Sequence, residues 1–168
     1  MRSSIRSVPL LALTFTYIAS STAAAQKSKG VDGKTACGLL SADEIKRAAG
    51  RPDVARTTSH MDEDTDVSSS CQYWGAVDIT LHIGKETKVM FGRMRDNYAK
   101  APARLGYTVA RVSGLGDEAY YLIYKGKAEV RALRGETELA VSLSGSLPSD
   151  MDAKKVALSV AKAALNKL

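Results

Sequence analysis

Two cysteines, two histidines and a run of aspartates are the residues here whose types could hold a metal or form a covalent link. Cys37 and Cys71 stand 34 positions apart. Such a pair either closes a disulfide or contributes to a metal site, and two Cys without a His at ligand spacing make a poor zinc site. Asp62, Asp64 and Asp66 have the alternate spacing of calcium loops, which also need Gly at the sixth position and Glu at the twelfth. Val67 and Tyr73 stand there instead, so these three are weak metal candidates and an ordinary acidic loop is the expectation. His60 lies beside that loop and His82 on the polar side of an alternating segment, each read as an exposed histidine.

Two glycine patterns imitate nucleotide sites. Gly33-Lys34-Thr35 has the ending of a phosphate loop, but Ser28 replaces the glycine that must open it. Gly114-Leu115-Gly116-Asp117-Glu118-Ala119 has dinucleotide spacing, which must lead into a helix whose N-terminus holds the pyrophosphate. It leads instead into Tyr120-Tyr121-Leu122-Ile123, a strand-forming run. Gly114, Gly116 and Asp117 are therefore read as a structural turn, with positive φ at a glycine. No Gly-x-Ser-x-Gly elbow occurs. No catalytic residue, cofactor or enzymatic activity is expected.

Aromatic side chains remain as recognition chemistry. Tyr73 and Trp74 follow the second cysteine, and Tyr120 and Tyr124 share one face of a strand while Tyr121 joins Ile123 on the other. Tyr and Trp favour interfaces, so Tyr73, Trp74, Tyr120 and Tyr124 form the candidate interaction surface. Core packing with hydroxyls satisfied at the rim is the alternative.

The elements that must position these residues begin after residue 25. Arg2 and Arg6 precede an apolar stretch from Val8 to Ile18, and Ala23-Ala24-Ala25 has the form of a cleavage signal. Residues 1–25 are read as a signal peptide and 26–35, rich in Lys, Gly and Ser, as a flexible leader. Residues 36–168 are then a single domain. Export to the periplasm or the medium, after cleavage near Ala25, favours the disulfide between Cys37 and Cys71.

Ser41 and Glu44 form a capping box, Leu40 and Ile45 a hydrophobic staple, and Gly50 with Pro52 a stop. Residues 53–70 are polar and read as a loop, with Cys71 to Gly75 a short strand. Val77 to Ile83 alternates as a half-buried strand. Met90, Phe91, Met94 and Tyr98 make a helical stripe within 86–98. Four strands follow, at 107–112, 119–124, 128–133 and 138–144, joined by short turns that imply an antiparallel meander. Pro148-Ser149-Asp150 starts a last helix whose stripe is Ala157, Val160, Ala161, Ala164, Leu165 and Leu168. The order α-β-β-α-β-β-β-β-α predicts an α+β fold, one antiparallel sheet packed by helices.

Charge narrows the function. The 168 residues carry 24 Lys and Arg against 18 Asp and Glu. Cleavage after residue 25 removes two Arg and leaves a net +4, spread along the chain. Nucleic-acid binding wants a dense basic stripe, and none is present. No second apolar run of spanning length follows, so no membrane insertion is expected once the signal is removed.

Ala36-Cys37-Gly38-Leu39-Leu40-Ser41-Ala42-Asp43-Glu44-Ile45, Cys71-Gln72-Tyr73-Trp74, and Val112-Ser113-Gly114-Leu115-Gly116-Asp117-Glu118-Ala119-Tyr120 together carry a resemblance. With the amphipathic C-terminal helix, they make residues 36–168 resemble the small exported domains of unknown function found as actinobacterial lipoproteins and as periplasmic proteins. The resemblance implies a sheet packed by helices, similar to a PsbP-like sandwich, with the two cysteines paired, and no catalytic residues. This chain lacks the lipid-bearing cysteine of the lipoprotein members. The resulting expectation is an exported, non-enzymatic interaction or accessory domain with an envelope protein as partner, read as a monomer. An immunity- or inhibitor-type protein that blocks an envelope enzyme or toxin, and a small-ligand or calcium carrier using the acidic loop, stay open as alternatives.

Overall fold

The computed structural model describes residues 35–50, 52, 55–56, 67–74, 77–101, 103–124, 127–143 and 152–168. Residues 1–34, read above as a signal peptide and most of a leader, and residues 57–66, with His60, Asp62, Asp64 and Asp66, lie outside the described residues.

Local chemistry sets the first elements. Helix α1 (Ala36–Leu39) is capped by the Thr35 hydroxyl, which accepts from the Gly38 N–H at 3.2 Å. Helix α2 (Ala42–Ala49) carries the expected capping box: the Ser41 hydroxyl accepts from the Glu44 N–H at 3.2 Å, and the Glu44 carboxylate accepts from the Ser41 N–H at 2.9 Å. Gly50 ends it in the left-handed conformation, where a side chain would be strained. Leu40 and Ile45, the staple pair, are both buried in the core.

Among the described residues, seven strands form one antiparallel sheet in the order β1-β2-β3-β7-β6-β5-β4. They are β1 (Ala55–Arg56), β2 (Ser68–Trp74), β3 (Val77–Ile83), β4 (Thr108–Val112), β5 (Glu118–Tyr124), β6 (Lys127–Arg134) and β7 (Thr137–Leu143). The α+β class and the meander from β4 to β7 follow the sequence reading. Strand β2 starts earlier than expected. Ser68 to Ser70, read as loop from composition, pair with His82 to Thr80, because β3 supplies partners for their backbone groups.

Helix α4 (Ala153–Leu165) lies with α1 and α2 on the inner face of the sheet. Its buried stripe, Val156 to Leu165, packs on Val130, Ala132, Leu139 and Val141. It does not begin at Pro148. Asp152 is the N-cap, its carboxylate accepting from the N–H groups of Lys154 and Lys155 at 3.0 and 3.4 Å; residues 148–150 lie outside the described residues. Helix α3 (Thr87–Ala99) covers the outer face. Phe91 is fully buried against Tyr120, whereas Met90, expected in that stripe, is 48% exposed. One residue is 100° of helix, so a stripe centred on Phe91 turns Met90 toward solvent.

Three links fasten the N-terminal helices to the sheet edge. Cys37 and Cys71 form the disulfide, with Cα atoms 4.9 Å apart. The Ala36 N–H donates to the Ser69 hydroxyl at 2.8 Å, and the Tyr73 hydroxyl donates to the Leu40 carbonyl at 2.6 Å. No helix among the described residues is long and apolar enough to cross a membrane.

Two outcomes follow. Replacing both Cys37 and Cys71 with Ser opens a loop of 34 positions and should cost roughly 3–4 kcal/mol, read as a lower urea midpoint at unchanged slope. The Glu44 carboxylate is lowered from 4.5 to about 2 by the Ser41 N–H and then by Lys167. Its folded pKa is depressed, so its contribution is present above 4.5 and is lost as pH falls toward 2. The Glu44→Gln variant should show a shallower fall of melting temperature between pH 5 and 2 than the parent; parallel profiles would remove this role.

Candidate functional site

On strands, alternate residues share a face. The inner face takes Ala128, Val130 and Ala132 from β6, so Glu129, Arg131 and Leu133 point outward. Strand β7 likewise turns Glu138, Ala140 and Ser142 outward, and the register sets Arg131 between them. The Arg131 guanidinium donates to Glu138 at 2.7 Å and to Glu129, and reaches the Met94 sulfur at 3.3 Å. The Ser142 hydroxyl donates to the second Glu129 oxygen at 3.1 Å. The Glu138 side chain is 3% exposed and that of Arg131 13%. Burial alone would lower the Arg131 pKa, but the Glu129 and Glu138 carboxylates outweigh it and hold the guanidinium charged.

Tyr120 stands beside Arg131 in the register and edge-on to Phe91, with ring centroids 5.0 Å apart. Its hydroxyl is buried and has no hydrogen-bond partner among the described residues. That burial raises its pKa, so it stays a neutral phenol.

Toward the free edge of the sheet, a cleft of about 330 Å³ lies between α3 and strands β4 and β5. Arg95, Arg111, Asp117 and Glu118 bring charge to its lining. Arg95 is occupied, paired with Asp96 at 2.8 Å and with Glu118. Arg111 is exposed and has no carboxylate partner among the described residues. Among the described residues, strand β4 is hydrogen-bonded to β5 only, and its other side, beside the cleft, has no strand partner.

The glycine turn joins β4 to β5. Gly114 and Gly116 have φ of 73° and 62°. A Cβ on Gly116 would sit 2.3 Å from the Leu133 carbonyl oxygen, so no other residue fits. The next residue uses that closeness: the Asp117 N–H donates to the same carbonyl at 2.7 Å, and its carboxylate accepts from the Gly135 N–H at 2.7 Å. The turn thus clamps the start of β5 onto the β6–β7 hairpin.

No family model and no curated protein matches this chain. Among solved structures, the crystal structure of a GTP-binding regulator from Thermotoga maritima aligns with 71% of this chain and 87% of its own, at 15% identity. Its TM-score of 0.34 is too low to carry an argument.

The tyrosine surface does not survive as drawn. Tyr73 and Tyr120 are buried at 0 and 1% exposure. Tyr73 reaches inward because its hydroxyl holds the Leu40 carbonyl, and Tyr120 because α3 lies over it. Tyr124 is half-buried and stacked on Tyr107 at 4.3 Å. Trp74 ends β2, and its side chain lies outside the described residues. His82 is half-buried on the outer face, opposite Glu138 in the register. No group of three metal-ligating side chains occurs among the described residues.

Sequence reading missed Glu129, Arg131, Glu138, Arg95 and Arg111. The available signal was the charge in Lys127–Arg134 and Thr137–Leu143, since a charged residue at the middle of a central strand needs a partner on the same face. Arg131→Met leaves Glu138 buried with no counter-charge. It should destabilise by about 3–5 kcal/mol in urea unfolding, whereas a loss below about 1 kcal/mol would mean that water reaches Glu138.

Proposed function

We propose that this chain is an exported, non-enzymatic interaction domain that receives an envelope protein along the edge of β4. The observation that carries this reading is the edge itself. Thr108, Ala110 and Arg111 are exposed on a five-residue strand whose outer side is unpaired among the described residues. A strand edge presents N–H and C=O groups that an extended segment can match, while neighbouring side chains select among segments. The adjoining cleft supplies the selecting charge, Arg111.

The fate of the acids supports a binding role over an acid–base one. Glu129 and Glu138 are held by Arg131, Glu118 by Arg95, and Asp117 by the Gly135 N–H. A general acid or base needs a carboxyl group free to exchange its proton with substrate. Export is supported by the disulfide together with the charged, apolar and small-residue pattern of residues 1–25.

The test is photo-crosslinking in intact cells. A crosslinker at Ala110 should capture a defined protein, one at Thr80 on β3, toward the other side of the sheet, should not, and Arg111→Glu should reduce the capture at 110. Identical adducts from both positions, or none from 110, would end the β4 reading.

A further inference from the structure

Helices α2 and α4 lie side by side on the inner face and leave a trough between them. It consists of two hollows of about 540 and 300 Å³ that share Arg47, Ala48 and Ser159, and so run on into each other. Leu40, Ala48 and Ala163 line its apolar part. Its charge is one-sided in a specific way. Among the described residues, the two acids that line it already have internal partners: Glu44 holds Lys167 at 2.9 Å, and Asp152 holds the N–H groups that begin α4. Arg47, Lys155 and Lys162 have no carboxylate partner among the described residues.

Lys155, Ser159, Lys162 and Asn166 repeat at four, three and four positions, one stripe along α4. At 1.5 Å per residue the stripe is roughly 16 Å long. An extended chain covers that length in about five residues. Lys155 and Lys162 stand roughly 10 Å apart along the helix axis, a spacing that suits several negative charges in a row better than one phosphate.

We propose that the α2–α4 trough binds an acidic, extended segment of a partner protein. Its cations meet carboxylates, and the small side chains of Ala48 and Ala163 let the bound backbone lie low between the helices. This site lies apart from the β4 edge and does not depend on that reading.

Fluorescence anisotropy with a labelled hexaglutamate peptide and the purified disulfide-bonded protein tests it. The peptide should bind, and less tightly at 200 than at 50 mM salt. The Lys155→Glu/Lys162→Glu variant should weaken binding roughly tenfold or more, while the equally charged Lys88→Glu/Arg93→Glu variant on α3 should stay within roughly twofold. Arg47→Glu, which alters α2 and leaves α4 intact, should also weaken it, and this separates loss of the trough from loss of α4. Equal losses in the α4 and α3 variants would reduce the effect to net charge and overturn the proposal. So would absence of peptide binding, or binding to phosphatidylglycerol vesicles without binding to the peptide. Any of these failures leaves crosslinking at Ala110 unaffected, so the two readings fall separately.

Discussion

A 13-residue helix cannot cover a seven-stranded sheet, and most of this structure answers to that constraint. Helix α3 is roughly 20 Å long and 10 Å wide. Seven strands at about 4.8 Å spacing are roughly 29 Å across. The inner face meets the requirement with three helices and an apolar core. On the outer face α3 shelters Phe91, Tyr120, Leu122 and Leu133. Beyond that cluster the outward residues of β2 and β3 are polar: Ser68, Ser70, Gln72, Asp78, Thr80 and His82. Glu129, Arg131 and Glu138 stand at the boundary, Glu138 buried and the other two only partly exposed, and there they pair with one another.

Such a buried trio is weak as a source of net stability, because desolvation offsets most of the Coulombic gain. Its effect is geometric. The guanidinium spans β6 and β7 and touches Met94 of α3, so the helix and both strands share one polar anchor. A shift in register by one residue would turn these charges onto the inner face and its apolar core. The Gly116–Asp117 clamp does the same for β5, tying its start to the β6–β7 hairpin through backbone contacts that leave no room for a side chain.

The N-terminal helices are held by other means. Helices α1 and α2 are only four and eight residues long, too short to be stable alone. The disulfide and the hydrogen bonds of Ala36 and Tyr73 fasten them to β2. Once fastened there, α2 lies against α4 and the trough exists. The charge follows a single logic on both surfaces. Acids are drawn into caps, clamps and ion pairs, while several cations are left facing solvent, at Arg111 beside the cleft and at Arg47, Lys155 and Lys162 along the trough. A chain with a modest positive balance thereby turns cations toward solvent on both surfaces.

The sequence by itself determined what is governed within a few residues. The capping box of Ser41 and Glu44, the stop at Gly50, the alternation of Val77 to Ile83 and the glycine turn all rest on hydrogen bonds or dihedral angles close along the chain. It also determined that Tyr120 and Tyr124 share a face opposite Tyr121. Only the tertiary structure decided what lies over each face, because period-two patterning separates the faces without saying which one α3 will cover. The same holds for Arg131, whose partners belong to a register, and for the trough, whose two helices are separated by about a hundred residues of chain. Contacts of that reach depend on how the sheet closes, and no local pattern encodes them.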